Sequence, residues 1–243
     1  VKRICLAIAA VVAMLLLIAC RSGAVGEDAS ANPKPLTEKQ PEVKLKTDES
    51  VSGAWKEGNG IKAHGAIVLE NKGESPVEIH SVRLDFKDGN QKLLASEDIL
   101  AVVPKIVQPG ERVHIGATTD LRVKDPENLE SISPSIEADP AWKESVNVEA
   151  KQVKWKVNGD NGAIVEGSVV NGSEEDVTDL FVTTAFRDEN GKLVGVVNDY
   201  LDVALAPGEE EEFKTKSGSL PAEWLKEVSE VDVKAYPLFR EEP

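Results

Sequence analysis

Phe86-Lys87-Asp88-Gly89-Asn90-Gln91-Lys92-Leu93 recurs one hundred residues later as Phe186-Arg187-Asp188-Glu189-Asn190-Gly191-Lys192-Leu193. Both stretches contain an apolar strand end, a turn that tolerates positive φ, and a leucine that restarts a strand. Upstream, Val82, Leu84 and Phe86 alternate with Arg83 and Asp85. Leu180, Val182 and Phe186 share one face of the matching segment, with polar Thr184 among them. Period two with one apolar face predicts a half-buried strand. Each stretch is therefore predicted as a β-hairpin.

The recurrence extends outward from these hairpins. Trp55 and Trp155, Asn71 and Asn171, Val77 and Val177, and Val82 and Val182 keep the same spacing. Pro109-Gly110-Glu111 returns as Pro207-Gly208-Glu209 at an offset of 98, a two-residue shift within a loop. Ordered matches at one spacing mark an internal duplication. Further strands are predicted at 66–69, 163–170, 211–215 and 230–236, with a helical turn at Pro221-Ala222-Glu223-Trp224-Leu225. Short strands at regular intervals predict an all-β chain of two tandem antiparallel β-sandwich domains, residues 51–142 and 143–243.

The N-terminus has a different character. Lys2 and Arg3 precede an unbroken apolar run, Ile4 to Ile18, and Leu17-Ile18-Ala19-Cys20 closes it. The order of basic start, apolar middle and small residue is that of a secretory signal. The tetrad looks like a bacterial lipobox. On that reading residues 1–19 are a cleaved lipoprotein signal peptide and Cys20 is the lipid attachment point. Two acyl chains would hold the mature protein to a membrane, since each buried methylene is worth about 0.8 kcal/mol. Residues 20–50 hold few large apolar side chains, and Asn32-Pro33-Lys34-Pro35 keeps them extended, so they are expected as a disordered tether.

The chain carries 28 basic and 43 acidic residues, and losing Lys2 and Arg3 with the signal moves the net charge from −15 to about −17. Such a body repels phosphate backbones, which disfavours nucleic acid as a partner. Cys5 falls inside the expected signal and Cys20 carries the lipid, so no thiol is left for a disulfide or a zinc site.

Both copies resemble the FxLyD domain family, small immunoglobulin-like sandwich domains frequent in bacterial lipoproteins. The resemblance rests on Val165-Glu166-Gly167-Ser168-Val169-Val170-Asn171, on 186–193, and on Leu205-Ala206-Pro207-Gly208-Glu209. The first copy keeps Asn71, Phe86, Asp88 and Pro109-Gly110-Glu111, with Lys87 and Arg187 at the tyrosine position of the naming motif. The resemblance implies an immunoglobulin-like fold and no established reaction.

Candidate sites have competing structural readings. The Asp88 and Asp188 turns offer oxygens to calcium, but turn chemistry alone accounts for them. Glu209-Glu210-Glu211-Glu212 reads as a solvated run entering an edge strand. His80 aligns with Leu180 and is expected at the rim of a core face. His64 and His114 have no adjacent nucleophile motif. Trp55 and Trp155 read as packing residues, Trp142 as a contact between the domains, and Asn171-Gly172-Ser173 as a turn. No catalytic, metal or cofactor-binding residue is nominated. The expected function is a non-enzymatic, lipid-anchored protein on the extracytoplasmic face of a cell membrane. Its two binding or spacer modules would meet an envelope protein or cell-wall component. An accessory subunit of a transporter or envelope assembly complex is the alternative, and an envelope enzyme a remote one.

Overall fold

Residues 42–99, 104–143, 145–158, 162–217 and 220–238 are described in a computed structural model. The expected signal with Leu17, Ile18, Ala19 and Cys20, and the linker through residue 41, lie outside the described residues.

The first half folds as β1 (Leu45–Glu57), β2 (Gly60–Asn71), β3 (Val77–Lys87), β4 (Leu93–Ile99), β5 (Ile106–Val107), β6 (Arg112–Leu121) and β7 (Ser131–Pro140). The second folds as β8 (Val148–Val157), β9 (Ala163–Asn171), β10 (Val177–Asp188), β11 (Leu193–Leu205), β12 (Glu210–Ser217), helix α1 (Ala222–Leu225) and β13 (Val228–Pro237). Sheet A has the order β1-β2-β6, and sheet B sets β4, β5 and β7 around β3. Sheet C has the order β12-β9-β8 and sheet D the order β11-β10-β13. Every pairing is antiparallel, so the duplicated sequence builds the same two-sheet sandwich twice.

Each sandwich encloses its own core. Ile67, Leu69, Ile79, Leu84 and Phe86 fill the first, and Val165, Val169, Leu180, Val182 and Phe186 the second. Trp155 meets Phe186 edge-on at 6.5 Å between ring centroids.

A buried asparagine ties the two sheets of each sandwich. Asn171 is wholly buried, and its Nδ2 donates to the carbonyls of Glu175 (2.7 Å) and Leu205 (2.9 Å). Its Oδ1 accepts from Ser173 N–H at 3.0 Å. Its backbone N–H donates to Glu209 O, and its carbonyl accepts from Gly208 N–H. Asn71 repeats the arrangement with Ser75, Val107, Gly73, Glu111 and Gly110. Gly208 and Gly110 adopt φ of 79° and 76°, which the left-handed turn position requires. Asn and Pro-Gly-Glu therefore recur together because they are two sides of one contact.

Three expectations are corrected. Strand β1 begins at Leu45, so residues 45–50 of the expected linker, apart from Asp48 at a register shift, pair with β2. Strand β10 is buried on both faces, since Thr183 and Ala185 are as hidden as Val182 and Phe186. His80 is exposed and pairs with Asp139 at 3.0 Å, because an irregularity between Ile79 and Ser81 turns Ile79 into the core. The last strand of each sandwich, β7 and β13, ends the sheet beside β3 and β10, and β7 tolerates Pro134 because one side of it needs no partner.

Asn171→Ala leaves two carbonyls without their donor. It is expected to lower the unfolding free energy by about 2–4 kcal/mol in urea titration. A loss under about 0.5 kcal/mol would show the contact to be dispensable.

Candidate functional site

The outward face of sheet A is covered by the outward face of sheet D. Ala66 and Val68 from β2 and Val51 from β1 pack on Ala185, Leu193 and Val196. The approach is close: a Cβ added at Gly116 would lie 2.1 Å from Val196 O. Trp224 from α1 reaches across to meet Trp55 edge-on at 5.4 Å, over Gly53, where an added Cβ would stand 2.5 Å from the indole.

Polar groups close the rest of this junction. Val196 N–H donates to His64 Nε2 at 3.3 Å, so Nδ1 holds the proton and donates to Thr118 Oγ1 at 3.0 Å. Asn198 Nδ2 donates to Gly116 O at 3.2 Å, and Lys234 Nζ to Arg112 O at 2.8 Å. Glu49 bridges the halves, accepting from Arg187 Nη1 at 2.8 Å and from Arg112. Burial opposes its ionisation, but the two guanidiniums outweigh burial and hold its carboxyl below the usual range. His114 Nε2 lies 3.3 Å from Asp232 Oδ2.

The equivalent outward faces on the other two sheets have different chemistry. Where the junction has Val51, Ala66, Val68 and Gly116, sheet C has Lys154, Glu166, Ser168 and Lys214. Where it has Ala185 and Val196, sheet B has Asp85 and Ser96, hydrogen-bonded to each other at 2.7 Å. A groove of about 800 Å³ crosses sheet C between Lys154, Lys214, Glu210 and Glu212. Ser168 in its floor is buried, and its hydroxyl lacks a hydrogen-bond partner. A second cleft, about 400 Å³, follows the seam of the two sandwiches past Glu111, Asn147, Lys234 and Tyr236. Burial raises the pKa of both the Glu111 carboxyl and the Tyr236 phenol there.

The structure places the remaining sequence candidates as follows. Asp88 Oδ1 accepts from Asn90 and Lys92 N–H, and Asp188 Oδ1 from Asn190 and Lys192 N–H, so each aspartate holds its own turn. Among the described residues no group of three or more His, Cys, Asp or Glu is placed to hold a metal. Glu210, Glu211 and Glu212 are exposed on β12, which edges sheet C. The Asn171 amide is spent on two carbonyls inside the fold. Trp142, expected between the domains, is 83% exposed, and Trp224 makes that contact instead. Trp142 follows the end of β7 and stays exposed, whereas α1 carries Trp224 onto β1.

The apolar strip of the junction, Val51, Ala66, Val68, Ala185 and Val196, was not singled out from sequence. A signal was present: the two copies diverge from apolar to charged at 66 and 166, and from charged to apolar at 85 and 185.

No protein-family model matches this chain, and a search of curated proteins finds no match.

Burial pushes the pKa of His64 down to about 4. Burial does the same to His114, also to about 4, opposed by Asp232 and reinforced by Lys234, Arg187 and Arg112. Below an unfolded value near 6.5 the unfolded chain takes up protons that the folded chain refuses. Stability should therefore be level above about pH 7, fall from pH 6.5 toward 4, and then flatten with respect to these groups. The expected loss between pH 7 and 5 is about 2 kcal/mol per histidine. Urea midpoints across that range check it, and His64→Gln should remove one histidine's share of the slope.

Proposed function

We propose that this chain is a lipid-anchored cell-envelope protein of the bacterial extracytoplasmic face, with two FxLyD-like sandwiches acting as one non-catalytic spacing and binding module. The single observation that carries this reading is Leu17-Ile18-Ala19-Cys20 at the end of the apolar run that follows Lys2 and Arg3. Cys20 bears the lipid, and the residues between it and β1 hold the sandwiches away from the bilayer. The body's acidic surface suits that separation, because anionic headgroups repel it.

The duplicated residues support a structural module. Asn71 and Asn171, both Pro-Gly-Glu turns and both Asp turns satisfy backbone groups of the fold itself. What distinguishes the copies lies on their outward sheet faces, where one pair is committed to the junction and the other is exposed for contact. Adhesion through an exposed face, with the linker setting its reach, is the mechanism this arrangement serves.

Cys20→Ser tests the anchor. The variant should accumulate as unprocessed precursor and lose metabolic lipid labelling. Equal labelling and migration of wild type and variant would overturn the reading.

A further inference from the structure

We propose that the outward face of sheet C binds a second copy of this chain, face to face about a two-fold axis. The warrant is the order of charges in the cross-strand rows of that face. Reading from β8 through β9 to β12, the rows are Glu149, Val170, Glu210; then Lys151, Ser168, Glu212; then Lys154, Glu166, Lys214. Lys156 and Ile164 begin the fourth. Acid is concentrated at one end and lysine at the other, with a half-buried aliphatic side chain in the centre of each end row.

Such a face complements itself when reversed. A two-fold axis lying in the interface and running across the strands sets each strand over its own copy in the opposite direction. Glu149 then lies over Lys156 of the second copy, Glu212 over Lys214, and Val170 over Ile164. Ser168, buried and uncharged, lies over Glu166 and sets no like charge against it. One like-charge pairing remains, Lys151 over Lys154. Glu149, 3.2 Å from Lys151 in the same chain, weakens that repulsion.

The other exposed face lacks this order. On sheet B, Arg83 and Asp85 alternate along one strand and pair locally at 3.5 Å, and Lys87 donates to Ser133. Nor does sheet C suit the contact made by its counterpart: a second sheet D would bring apolar Ala185 and Val196 onto Glu166 and Ser168.

The face measures about 14 by 26 Å from strand spacing and rise. That is smaller than a standard interface, so the association is weak, and exposed ion pairs make it salt-sensitive. Charge complementarity sets the register more than the strength. Confinement of both copies to one membrane, on the reading above, raises their effective concentration. The face itself does not depend on that anchor.

Sedimentation equilibrium of the full chain in density-matched mild detergent tests the proposal. At 50 mM salt and protein near 0.2 mM the wild type should show a monomer–dimer equilibrium, weakened about fivefold or more at 500 mM. The basic variant Glu149→Lys/Glu212→Lys and the acidic variant Lys154→Glu/Lys156→Glu/Lys214→Glu should each be monomeric. Mixed together they should form a one-to-one dimer, because each face then meets its opposite. All five positions are exposed, so circular dichroism should match the wild type. A wild type that stays monomeric at low salt would overturn the proposal. So would variants that dimerise like the wild type, or a mixture that fails to associate. None of these outcomes bears on the lipid test at Cys20.

Discussion

Sheets A and D approach so closely that glycine is required at the point of contact, and much of the molecule follows from that approach. Gly116 leaves room for the Val196 carbonyl, and Gly53 for the Trp224 ring. Small and branched apolar side chains, Ala66, Val68, Ala185 and Val196, fill the space between. Packing this tight excludes water, so polar groups at the margin draw partners from the opposite sheet, although the buried Thr183 hydroxyl and His114 Nδ1 have no hydrogen-bond partner. His64, Asn198, Glu49 and Lys234 each have one. The result is a junction with an apolar strip and a polar border, joining two sandwiches that are each complete.

Duplication explains the sandwiches, and divergence explains how they join. Positions that hold the fold are the same in both halves, because the same backbone groups must be satisfied in each. Positions on the outward faces have moved apart in chemistry, because in each half a different face meets protein. Sheet A is apolar where sheet C is charged, and sheet D is apolar where sheet B is charged. Positions 87 and 187 illustrate this: Lys87 reaches a serine on its own sheet, while Arg187 crosses the junction to Glu49.

The hairpins, the turns and the duplication were legible because local chemistry dictates them. Asp88 and Asp188 bind their own turns, and glycine is needed after both prolines. Strands β1, β6, β7 and β8 were not legible. They lie at the edges of their sheets, where Lys, Glu, Ser and even Pro134 are tolerated and the apolar alternation fades. The burial of Thr183 and Ala185 could not be read from β10 alone, because it depends on a surface remote in sequence. The same holds for Trp142 and Trp224: neither has an aromatic counterpart in the other copy, and only the position of α1 shows which one crosses. The candidate surface on sheet C was visible only as scattered charges until strand register placed them in rows.

The contact between sheets A and D joins unlike faces, and such contacts have no inherent stopping point. Each sandwich has one face of each type, so a third sandwich could in principle stack on the second, and a fourth on the third. Glu166 and Ser168 on one open face, and Asp85 and Ser96 on the other, make another contact of this kind costly. The contact between unlike faces is therefore confined to sheets A and D, and the two open faces are left to contacts of a polar kind.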